Sequence, residues 1–237
     1  MKTKAALVII ALLLSDFALA QNSKAPGKEG ETNLLNNPGF EESEEVNIPK
    51  KYPRLVEHGV ELPSGNPVLM PVGVWLNPDD GWLIGSGKGF EYVDGKPGEN
   101  VHTGKHAVKI TSRTGYSAIV MPSNLSSSGK GRIPVSESVG LDDQSIQRNK
   151  PYKFSFYAKG SGSTIVTSYC YDAELNNIYS KDGLRIVEPE TIPISAENQW
   201  QKGEGTIQIV SSKVRYIFFV ICVRGEVWLD DVVLLGQ

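Results

Sequence analysis

The chain has 237 residues, with 24 Lys and Arg against 27 Asp and Glu and a formal charge of −3. This near balance excludes an electrostatic nucleic-acid binder, which needs a basic excess to release phosphate counterions. Its 24 Gly and 14 Pro argue against a helical bundle, and its length suits one large domain or two small ones that need no disulfide or metal to hold a core.

Met1–Lys4 is a short basic start, Ala5–Leu14 is unbroken apolar, and Ala18-Leu19-Ala20 gives a small-x-small cleavage pattern before Gln21. This is the layout of a secretory signal peptide, so residues 1–20 read as removable and the protein as secreted (extracellular, periplasmic or cell-surface) after cleavage near Ala20. The apolar stretch is shorter than the roughly 20 residues a bilayer span needs. Tyr216–Val223 is apolar too, but it is short and flanked by Arg215 and Arg224, so no membrane span is expected. Cys170 and Cys222 lie in strand-like runs. An exported chain allows a disulfide between them; the alternative is two buried free thiols, the commoner state of such residues.

Gln21–Thr32 has almost nothing apolar and reads as a flexible leader, with structure beginning near Asn33. From there the signals are short alternating or apolar runs broken by Gly, Pro, Asn and Ser. Two runs lie within Val72–Ile84, around the turn Asn77-Pro78-Asp79-Asp80-Gly81. Phe90–Val93, Ala107–Thr111 and Tyr116–Met121 follow. In Tyr152–Ala158, Phe154, Phe156 and Ala158 share one face and Lys153, Ser155 and Tyr157 the other. Thr164–Tyr171, Thr206–Val210, Val214–Val223 and Glu226–Leu235 complete the set. Short strands in this number predict an antiparallel β-sandwich or barrel. Residues 42–71, rich in Pro and acid, and 122–150, rich in Ser and Gly, break the rhythm and read as long surface loops.

The segments Asn36-Asn37-Pro38-Gly39-Phe40-Glu41, Val101–Ile110, Tyr152–Gly160, Trp200-Gln201 with Gly205-Thr206-Ile207, and Val227–Leu234, in this order, resemble the family 4/9 carbohydrate-binding modules. These are jelly rolls of the galactose-binding-like group, and the resemblance covers Asn33–Gln237. It implies a two-sheet antiparallel jelly roll whose first and last strands lie close together. It further implies a structural calcium, with Glu41 and Asp230 as side-chain ligands and backbone carbonyls from around Gly39 and Lys105. Carboxylate and carbonyl oxygens suit that ion. Period two, carried through the last strand, places Trp228, Asp230, Val232 and Leu234 on one face and Leu229, Asp231 and Val233 on the other. The alternative for Glu41 and Asp230 is a solvated Glu41 and an Asp230 paired with a backbone N–H or an Arg.

Sugar recognition needs flat rings for pyranose C–H groups and polar side chains for hydroxyls. The candidate rings are Trp75, Trp82, Tyr92, Tyr116, Tyr169 and Tyr171, with Asn77, Asp79, Arg113 and Gln208 as polar helpers. Each ring has a core alternative. Trp200 and Trp228 fall in motif positions that read as structural and are set aside. No spaced carboxylate pair of a glycosidase, nucleophile elbow, phosphate loop or zinc pattern is recognisable. Asp79-Asp80, Asp142-Asp143 and Asp230-Asp231 are adjacent pairs, and Thr103-Gly104 between His102 and His106 opposes the helix that would bring the two rings together.

The expectation is an exported, non-catalytic module that binds a polysaccharide or glycan, beside separate carbohydrate-active enzymes, with calcium stabilising the fold. A jelly roll making protein contacts in an envelope or matrix assembly is the alternative, and a jelly-roll hydrolase or lyase the third reading.

Overall fold

A computed structural model describes residues 33–35, 37–47, 68–72, 74–77, 83–84, 89–121, 146–174, 176, 178, 191–195 and 198–236, with backbone only at 75–77, 83–84 and 113–121. Among them are ten strands and no helix: β1 Ser43–Val46, β2 Val68–Pro71, β3 Trp75–Asn77, β4 Leu83–Ile84, β5 Gly89–Asp94, β6 His106–Met121, β7 Pro151–Tyr171, β8 Thr191–Ile194, β9 Gln201–Gln208 and β10 Tyr216–Leu235. The fold is an all-β jelly-roll sandwich. Strands β1 and β2 form a two-stranded sheet, and the other eight form one continuous hydrogen-bonded system, ordered β4-β5-β6-β10-β7-β8, with β3 added to β6 and β9 to β7. All of these pairs are antiparallel except β4–β5.

Three long strands, β6, β10 and β7, run side by side through two halves. In the first half they are flanked by β5 and β9, in the second by β3 and β8. The sequence breaks β7 and β10 at their glycines, yet both run through. Gly160, Gly162 and Gly225 adopt φ of 124°, 157° and 92°. At each, a Cβ would fall on a carbonyl of the facing strand, that of Glu226, Arg224 and Ser161 respectively. A close-approach bend replaces the expected turn because only glycine lets two ladders approach so tightly without losing register.

The first loop expected, 42–71, is different at its ends: Ser43–Val46 pairs with Val68–Pro71, and Val46 and Met70 enter the core. At the end of the second, 122–150, Ile146 is buried and Arg148 bridges to Ile209. The alternation read in Tyr152–Ala158 holds: Tyr152, Phe154, Phe156 and Ala158 are buried, with Leu229, Val227, Ile110, Val108 and Phe90 on the neighbouring strands. The segment just before β1 meets the last strand, as Asn33 bridges Leu235 and the Leu34 N–H donates to the Leu234 carbonyl at 2.8 Å. The two thiols are free. Cys170 faces Ile217 and Cys222 faces Ile165, so the cysteines are five rungs, roughly 17 Å, apart along the β7–β10 ladder, too far for a bridge.

Period two does not carry through β10. The register slips between Asp230 and Val233, and Asp231 has φ 47°. Val227 and Leu229 face the core before the slip, Val232 and Leu234 after it. Trp228 is therefore on the opposite face from Val232 and Leu234, because a β-bulge inserts a residue and inverts the alternation.

Candidate functional site: an aromatic row beside a carboxylate-held loop

On the outward face of the first half, register sets Glu91, Lys109, Trp228 and Lys159 in line across β5, β6, β10 and β7. The Lys109 ammonium lies 4.5 Å from the Trp228 ring centre and 3.4 Å from a Glu226 oxygen. The Lys159 ammonium lies 5.3 Å from both the Trp228 and Trp200 rings and donates to the Glu99 carbonyl. Burial lowers the Lys159 pKa, against the pull of Glu99. Beyond Trp200 the row continues through His102, edge-on to Trp200 at 5.7 Å, to Tyr157, stacked on His102 at 3.5 Å and 13°. Trp228, Trp200, His102 and Tyr157 are half-buried. Lys202 and Glu204, an exposed ion pair at 2.6 Å, border the row on β9.

The candidates read from the sequence are distributed otherwise. Tyr92 is half-buried; its hydroxyl donates to the Phe40 carbonyl at 2.6 Å and its ring stacks on His106 at 4.8 Å. Burial pushes its phenol pKa up. Tyr171 is buried, edge-on to Phe218 at 5.6 Å, and Tyr169 is half-buried against the core. The backbone of Trp75 pairs with Val120. Tyr116 lies within the segment of β6 between Ser112 and Ser117, where the register with β10 slips. The side chains of Trp75 and Tyr116, and all of Trp82, lie outside the described residues, as do Asp79 and the side chains of Asn77 and Arg113. Gln208 ends β9, half-buried. Trp200 and Trp228, set aside on sequence, are in the row. Alternation did place Tyr157 outward, but a row that crosses four strands and two loops is written in cross-strand register, which no single segment displays.

One end of the row is the loop Val101–Lys105. Two carboxyl groups from distant parts of the chain hold it. Glu41 Oε1 accepts the N–H groups of Lys105 at 2.9 Å and His106 at 3.2 Å. Asp230 Oδ2 accepts those of His102 at 2.8 Å and Thr103 at 3.2 Å, and Oδ1 accepts that of Asp231 at 2.7 Å. Asp231 adds its side chain, 2.6 Å from His102 Nδ1 and 2.8 Å from Thr103 Oγ1. Burial, then the neighbouring Asp231 charge, pushes Asp230 up to about 8, against the pull of its three N–H donors.

These are the residues expected to hold calcium, and they do not fit it. The ion needs six to eight oxygens aimed at one point. Here both Asp230 oxygens and Glu41 Oε1 already face N–H hydrogens, and the Lys105 carbonyl accepts the Gly95 N–H at 3.0 Å. Around Gly39, the Pro38 carbonyl accepts the Val232 N–H at 2.8 Å and the Phe40 carbonyl accepts the Tyr92 hydroxyl at 2.6 Å. Among the described residues no three His, Cys, Asp or Glu side chains gather as a metal site.

No family model matches the chain, and no curated protein matches it. Solved structures do resemble it. A cyclase from Fischerella sp. TAU aligns with TM-score 0.50 at 10% identity over 87% of this chain and 98% of the cyclase, a likeness of fold alone. The module TmCBM61, solved in complex with β-1,4-galactotriose, aligns with TM-score 0.40 at 16% identity over 86% of this chain and 99% of the module. The enzymatically active domain of tailspike protein 4 of bacteriophage CBA120 aligns with TM-score 0.40 at 10% identity over 86% of this chain, which spans about a fifth (21%) of the tailspike chain.

Proposed function

We propose that this protein is an exported, non-catalytic module that binds a saccharide, related in kind to the family 4/9 carbohydrate-binding modules, with the outward row as part of its contact surface. The observation that carries this reading is the row itself: Trp228, Trp200 and Tyr157 half-buried on the outward face of a hydrogen-bonded sheet, with Lys109, Glu226, Lys202 and Glu204 beside them. Rings on a rigid sheet give a pyranose an apolar contact at little entropic cost, and ammonium and carboxylate groups at the rim satisfy its hydroxyls. Export is supported by the signal-peptide layout of residues 1–20. Trp75, Trp82 and Tyr116 stay candidates from the sequence alone, and calcium has no part in this reading.

The test is retention of the purified protein on a panel of soluble glycans and insoluble polysaccharides. Trp200→Ala and Tyr157→Ala are each expected to weaken the retained affinity about tenfold, the scale of one lost aromatic contact. Trp75→Ala and Trp82→Ala, made in parallel, test the two tryptophan candidates taken from the sequence. Unchanged affinity in Trp200→Ala and Tyr157→Ala removes the row from the binding surface, and release of reducing sugar from any retained polysaccharide removes the non-catalytic reading.

A protein-contact module is the second reading. It is favoured by the two ammonium groups that already lie over the Trp228 ring. Absence of glycan retention with capture of a specific envelope protein would support it.

A further inference from the structure

We propose that Glu41 and Asp230 are positioning residues that form an amide clamp in place of a calcium cage, and that the clamp fixes His102 against Tyr157. Four N–H groups of one short segment, those of His102, Thr103, Lys105 and His106, converge on the two carboxyl groups. The residue between them, Gly104, has φ +63°, and a Cβ there would fall on the Glu41 carboxyl group. Only glycine both adopts that backbone and lets the carboxyl approach. Each of these N–H groups finds a carboxyl oxygen as acceptor, which a carboxyl group can provide whether ionised or neutral.

The clamp joins three distant pieces of chain: Glu41 before β1, the loop before β6, and Asp230 at the bulge of β10. Asp231, displaced onto the loop by that bulge, takes His102 Nδ1 and Thr103 Oγ1. On the far side the loop is tied down by Lys159, which donates to the Glu99 carbonyl. With its backbone and its ring nitrogen both held, the His102 ring lies flat on Tyr157 and edge-on to Trp200. The sugar reading enters only in the use made of this ring; the clamp stands without it.

The experiment measures the full purified chain twice. Thermal unfolding is followed with excess calcium and with excess chelator, alongside terbium luminescence sensitised by the protein's aromatic residues. Coinciding midpoints and no sensitised emission are expected. A midpoint higher in calcium by roughly 5–10 °C, as a saturated site would give, overturns the clamp. So does terbium emission abolished by Asp230→Asn. In the second measurement, proton NMR follows the His102 ring, which ring current from Tyr157 shifts upfield. Asp230→Asn and Glu41→Gln are expected to return it towards the position of free histidine while the methyl signals of Val227 and Leu229 stay dispersed. Gly104→Ala, which leaves both carboxyl groups in place but blocks the approach of Glu41, is expected to do the same. A His102 shift unaltered in folded Gly104→Ala overturns the positioning role. Neither measurement uses a glycan, so failure here is distinct from failure of the binding proposal.

Discussion

Asp230 shows how much a residue's chemistry depends on neighbours the sequence does not place beside it. In an apolar strand it reads as a charge in need of a partner, and it has partners, but they are peptide N–H groups from a loop about 130 positions earlier, 128 to His102. Its pKa is raised from 3.8 to about 8 in the folded chain, first by burial and then by Asp231. A group raised on folding favours the fold most below its unfolded pKa and loses that contribution as pH climbs through the folded value. Chemical denaturation of the wild type and Asp230→Asn should therefore give a stability difference that moves against the wild type between about pH 4 and pH 8. A difference independent of pH over that range would contradict the assignment. The resemblance singled out Glu41 and Asp230 together, but as ligands of an ion. The identity of the third party was not legible, because N–H donors carry no sequence signature.

At the level of elements, the glycines of β7 and β10 were the main source of misreading. Gly160, Gly162 and Gly225 look like strand breaks in a linear pattern, and they separate runs that alternate well on either side. They are the places where two ladders approach within less than a side chain's width. Gly225→Ala is expected to destabilise by roughly 1–3 kcal/mol from its φ of 92° alone, and further from its collision with the Ser161 carbonyl. Gly98→Ala is the matched control: φ is +83° but nothing lies within 4 Å of the added Cβ, so only the backbone strain applies. Urea titration of the pair separates the two contributions, and equal losses would remove the close-approach argument. The bulge at Asp231 misled the reading in a similar way. An inserted residue inverts every face after it, and neither hydrophobicity nor spacing in Val227–Leu234 marks the position of the slip. By contrast, the inward face of Tyr152–Ala158 was readable, because uninterrupted period two admits one arrangement with Phe154 and Phe156 inside.

For the molecule as a whole, composition and turn signals sufficed for an all-β fold. The resemblance implied that the first and last strands lie close together; the contacts seen with the last strand are those of Asn33 and Leu34, which precede β1. The two cysteines report on the integrity of this whole. Burial pushes both thiols up to about 11, so little thiolate exists in the folded state near neutral pH. Alkylation at pH 8 is expected to be slow for both and to accelerate together at the denaturant concentration where the sheet unfolds. Both lie in the half flanked by β3 and β8, so rapid labelling of either in native buffer would show that this half opens independently of the other.

The placement of β10 has an implication for how the protein comes into being. It is the strand between β6 and β7, yet it comes after both in the chain. Until residues 216–235 have been synthesised, the two longest earlier strands lack the neighbour they share, and most of the buried faces have nothing to close against. A nascent chain of this design stays unlatched until its final segment arrives, then closes through contacts of long sequence separation. Under the export proposed above, such a chain would reach a translocation channel with no closed fold to undo first.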